Sequence, residues 1–126
     1  MEKFHIEFVL GKISVISLWN MISTADGLNG WFADKVTITD DIKYTFTWNK
    51  SDSIALMISQ KPSSFIRFQW EEREDPATYF EFRIHIMELS KDITLEITDF
   101  ADHEDKADAI FLWESQMEIL KRKLGA

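Results

Sequence analysis

The chain has 126 residues, 45% of them hydrophobic and 29% charged, with a formal net charge of −8. That length suits one domain with a core of its own, residues 1–126, and the composition argues against disorder. The lack of cysteine excludes disulfides, thiolate metal sites and a cysteine nucleophile, and the acidic balance opposes binding to nucleic acid.

Phe4, Ile6, Phe8 and Leu10 alternate with His5, Glu7 and Val9, the period-two pattern of a half-buried strand. Gly11-Lys12 breaks it, and Ser14 can cap a helix whose face carries Val15, Leu18, Trp19 and Ile22. Ser23-Thr24 offers a second cap, with Asp26 in the favourable first turn. Ala25, Leu28, Trp31 and Phe32 then share one side of a short helix that Gly27 and Gly30 weaken.

Strands follow. Val36 to Thr39 is short, and Asp40-Asp41 is a turn. The inward sets are Ile42, Tyr44, Phe46 and Trp48; then Ile54, Leu56 and Ile58; then Ile66, Phe68 and Trp70. Asn49 to Asp52 turns the chain, and Lys61-Pro62-Ser63-Ser64 ends the next strand because proline cannot donate to a ladder. After the charged loop Glu71 to Pro76 come Phe80, Phe82, Ile84 and Ile86, the turn Ser90-Lys91-Asp92, and Ile93, Leu95 and Ile97.

The period then changes. Ile110, Trp113, Met117, Leu120 and Leu124 are spaced 3, 4, 3, 4, which predicts an amphipathic helix from about Glu104 to Leu124. Acidic residues at its start and Lys121-Arg122-Lys123 at its end match the helix dipole. Short turns imply an antiparallel meander with one apolar face, and the terminal helix has the stripe to cover it. No apolar run approaches the roughly 20 residues of a spanning helix. Met1 to Glu7 lacks the basic and apolar regions of a secretory signal. The expectation is a cytoplasmic protein without integral membrane contact.

Three stretches carry a resemblance: Ala25 to Ala33, ADGLNGWFA; Phe65 to Glu71, FIRFQWE; and Trp113 followed by Leu120. With the order strand, two short helices, six strands, long helix, the chain resembles the START-like (Bet v 1-like) superfamily. Within it, the chain is similar to activators of the heat-shock-protein-90 ATPase and to small stand-alone START-like proteins of unassigned function. The resemblance implies an α+β helix-grip fold: about seven curved antiparallel strands, two short helices and a long C-terminal helix. It also implies a cavity between sheet and helix, in which superfamily members hold lipids or other apolar molecules.

The residues themselves offer little chemistry. His5 and His85 fall on the polar phase of their strands, and His103 lies in an acidic helix start without the spacing of a calcium loop. No glycine-rich phosphate loop or serine elbow is present, and neither a metal nor a cofactor is expected. Arg67 and Arg83 share the polar phase with Glu81 and Glu96, as cross-strand ion pairs on a solvated face would. Asp99, inward after Ile97, is the one candidate carboxylate for an apolar cavity, unless it marks the strand's wet end.

Three functions are weighed. The first is a non-catalytic binding module for an apolar small molecule or lipid, lined by Trp31, Phe32, Tyr44, Phe46, Phe68, Trp70, Phe82, Trp113 and Met117. Phe32 is expected to pack inward and Trp31 to lean over the entrance. The second is an interaction module, cochaperone-like or a homodimer joined through Met57, Phe65, Tyr79 and Met87. The third, an enzyme, ranks last because no convergent acid–base pair is visible.

Overall fold

The computed structural model describes residues 1–126. The elements are β1 (Glu2–Gly11), α1 (Val15–Ser23), α2 (Ala25–Leu28), β2 (Lys35–Thr39), β3 (Lys43–Trp48), β4 (Ser51–Lys61), β5 (Phe65–Trp70), β6 (Phe80–Ile86), β7 (Ile93–Ala101) and α3 (Lys106–Leu124). All strand pairs are antiparallel, in the order β1-β7-β6-β5-β4-β3-β2. This open, curved sheet with a long terminal helix is the expected α+β helix-grip architecture. No helix is long and apolar enough to cross a membrane.

Local chemistry explains the elements. Ser14 accepts a hydrogen bond from the Ser17 amide at the start of α1, and Thr24 accepts one from the Gly27 amide at the start of α2. Asn49-Lys50 joins β3 to β4 with positive φ at both residues, the two-residue turn whose twist suits a hairpin. Trp113, Met117 and Leu120 are buried against the sheet, with Ile110 and Leu124 half-buried beside them. The long helix therefore presents the stripe that its spacing foretold.

Four expectations need correction. Along β4 the inward residues are Ala55 and Met57, not Ile54, Leu56 and Ile58: Ala55 is 0% exposed and Ile58 45%. The cause is register. Ala55 pairs with inward Tyr44 and Trp70, and Met57 with inward Phe68, so the small residue occupies the space between large rings. A shift between Met57 and Ser59 breaks the phase again. Met57 consequently leaves the proposed homodimer patch for the core.

Second, α2 ends at Leu28, so Trp31 and Phe32 lie in the turn beyond it. Third, Ile42 and Ile86 are exposed at the strand ends. Fourth, the outer face is not simply solvated. Glu81, only 4% exposed, accepts from Arg67 across the β5–β6 register at 2.9 Å and from Arg83 on its own strand at 3.1 Å. The Arg67 guanidinium lies 4.0 Å from the Tyr79 ring centre, and that of Arg83 lies 4.3 Å from Phe65. Both rings are thus roofed by cations. Thr94 and Thr98 are buried on the same face.

Candidate functional site

The inner face of the sheet is filled with rings. Phe46, Phe68, Phe80 and Phe82 are fully buried, and Phe32 packs among them at 4.8 Å from Phe46 and 5.6 Å from Phe80. Phe32 faces inward, as expected. Trp31 does not lean over an entrance: it is 2% exposed, packs at 5.7 Å against Phe82, and its indole N–H donates to the Met21 carbonyl at 2.8 Å. Tyr44 is anchored likewise, its hydroxyl donating to the Ser23 carbonyl at 2.8 Å. Burial, with a smaller contribution from Asp41, raises its phenol above the usual value.

What remains between helix and sheet is a cleft of about 150 Å³, open to solvent. Ala109, Leu112, Trp113 and Gln116 of α3 form one wall, and Trp48, Trp70, Phe80 and Asp99 of the sheet form the other, with Phe32 between. Two side chains hold the loop after α2 in place here. The Trp48 indole and the Gln116 amide both donate to the Phe32 carbonyl, at 2.8 and 2.9 Å. Gly30 makes the turn that delivers Phe32, with φ near +93°, a conformation that L side chains resist.

Asp99 is the last polar residue on the inward phase of β7. Its Oδ2 accepts from the Trp113 indole at 2.9 Å and its Oδ1 from the Phe100 amide at 2.8 Å. Burial pushes its carboxyl above the ordinary aspartate value, and these two hydrogen bonds partly oppose the shift. No lysine or arginine pairs with it.

Of the nine predicted lining residues, Phe32, Trp70 and Trp113 meet in this cleft. Trp31 borders a groove running on along α3 past Leu112 and Ile119. Tyr44, Phe46, Phe68, Phe82 and Met117 lie in the core behind. Trp48, Phe80, Leu112 and Gln116 also line the cleft, although the sequence reading did not assign them there. Trp48 and Phe80 were on the inward phase, and only the helix position selects them from the other rings. The histidines lie elsewhere: His5 meets Thr98 at 2.8 Å, His85 lies 3.5 Å from Glu96, and His103 meets Glu2 at 3.0 Å.

A protein-family model described as the START-like superfamily domain matches residues 1–126. The chain is 40% identical to BfR322 from Bacteroides fragilis, with 97% of this chain and 90% of that one covered and a TM-score of 0.65 to its solution structure. It shares its fold with the Aha1 dimer from Colwellia psychrerythraea, at 16% identity, 98% and 96% coverage and a TM-score of 0.80. It shares it also with XoxI from Bacillus cereus, at 11% identity, 98% and 96% coverage and a TM-score of 0.75. No curated protein matches the chain. An aromatic-filled sheet gripping one long helix is thus joined by a sequence match over the full length, and the chain belongs to the START-like superfamily.

Proposed function

We propose that the protein is a cytoplasmic, non-catalytic binding domain that takes a small molecule with an apolar body into the cleft beside Asp99. The observation that carries this reading is an aromatic-walled opening with a single half-buried carboxylate at its end, the mixture of apolar wall and sparse polar anchor that suits a ligand site. Phe32, Trp70 and Trp113 would contact the ligand, and the remaining predicted rings would support them from behind. A binding role fits better than catalysis because neither a histidine nor a second carboxylate lines the cleft with Asp99. Native mass spectrometry after gentle purification is expected to show a bound small molecule that Leu112→Trp, at an exposed position on the rim, displaces. An empty wild-type protein across several mild preparations would count against the reading.

A second reading is favoured by the exposed apolar side chains of α3. Phe111 is 70% exposed and Leu112 59%, with Ile119 about two turns beyond, and the Colwellia relative is described as a dimer. We infer self-association through this face as the alternative function, an interaction module in place of a ligand carrier. Sedimentation equilibrium is expected to give a concentration-dependent mass abolished by Phe111→Glu, whereas a monomer throughout would remove it.

A further inference from the structure

The feature left over is the missing counter-charge of Asp99. Asp99 is half-buried, and a carboxylate partly withdrawn from water gains from a cation beside it. Here the two hydrogen bonds come from neutral donors, an indole and a backbone amide. Beside it stand the rings of Phe32, Trp48, Trp70, Phe80 and Trp113. Trp48 and Trp70 lie 6.1 Å apart, and Trp70 and Phe80 4.9 Å apart. Ring faces attract cations, most strongly the indole face, and the attraction grows as water is excluded.

The surroundings have the same sign. On its other side Asp99 borders a second opening, with Trp70, Glu72 and Glu74. Glu72 and Glu74 thus border the far side of Asp99, outside the cleft itself, and they form no ion pair. Two cations also border that opening: the N-terminal ammonium lies 3.9 Å from Asp102, and Arg73 donates to the neutral Trp70 carbonyl at 2.9 Å without forming an ion pair with Asp99 or any other carboxylate. With a net charge of −8 on the chain, the field draws cations toward the cleft.

Resting on the cleft reading above, we propose that the ligand is a small organic cation, an alkylated ammonium, whose positive head sits against Asp99 among the rings of Trp48, Trp70 and Trp113. The tryptophans would take the methyl groups and share the charge, and the ammonium would be the counter-ion that the chain does not give Asp99.

Three probes of similar shape and different charge test this: tetramethylammonium, tert-butyl alcohol and pivalate. Each is titrated into the full chain while the indole N–H resonances of Trp48, Trp70 and Trp113 are followed by NMR. The expected result is saturable binding of tetramethylammonium, weaker binding of the alcohol and none of pivalate. Asp99→Asn, which keeps the shape and an acceptor for Trp113, should weaken the cation by about tenfold and leave the alcohol unchanged. The alcohol also reports whether the variant's cleft is intact. If the alcohol binds wild-type protein as tightly as the cation, or Asp99→Asn keeps full affinity for the cation, the cation inference falls while the apolar cleft stands. If no probe moves the indole resonances, both readings fall.

Discussion

Asp99 shows how the burial of one side chain couples stability to pH. Its carboxyl is raised by burial, so between the unfolded and folded pKa values the native state binds more protons than the unfolded one. Stability from this group is therefore fully present below the unfolded value and is lost as pH rises through the folded value. Asp99→Asn is expected to stabilise the protein near neutral pH and to lose that advantage in acid. Urea unfolding of both proteins at several pH values checks this, and a pH-independent difference would contradict it. Tyr44 illustrates the opposite case, a polar group serving packing. Tyr44→Phe keeps the ring against Phe68 and strands the Ser23 carbonyl, for an expected loss of about 1 kcal/mol in the same assay.

At the scale of elements, the join of α1 and α2 is the tightest point. A Cβ on Gly27 would lie 1.8 Å from the Asn20 carbonyl oxygen. Gly27 therefore does more than weaken a helix: it lets α2 begin in contact with the end of α1. Gly27→Ala is expected to cost about 1–3 kcal/mol, the range for overpacking, seen as a lowered unfolding midpoint. The β3–β4 hairpin offers a change of opposite sign. Lys50 holds φ near +67°, where a side chain is penalised, and Lys50→Gly would give the Asn-Gly pair that such turns prefer. A gain of about 0.5–1 kcal/mol is expected, the cost of left-handed backbone set against the entropy of glycine.

For the molecule as a whole, stability should be graded across the sheet. β6 and β7 lie inside it, with buried residues on both faces, Phe82, Leu95 and Ile97 inward and Glu81, Thr94 and Thr98 outward. β2 is an edge strand of five residues with Thr37 and Thr39 exposed. Amide hydrogen exchange is expected to be slowest in β6 and β7 and fastest, among the strands, in β2. Uniform protection would mean that the outer Glu81 cluster contributes nothing to the gradient.

What the sequence determined by itself was the order of elements, both short-helix caps and the stripe of α3. Those rest on period, capping and turn chemistry, which act between residues near in sequence. The inward rings of β3, β5 and β6 were legible for the same reason. The phase of β4 was not, because Ala55 is inward only through its partners Tyr44 and Trp70. Nor was the state of Glu81, which depends on Arg67 from the neighbouring strand. Asp99 could be singled out by counting along β7, but its bond to Trp113 joins positions that only the docking of α3 brings together. The same docking decides which rings fill the core and which are left beside open space. Alternation can say that a ring points inward; whether it meets another side chain or a cleft depends on how the helix crosses the sheet.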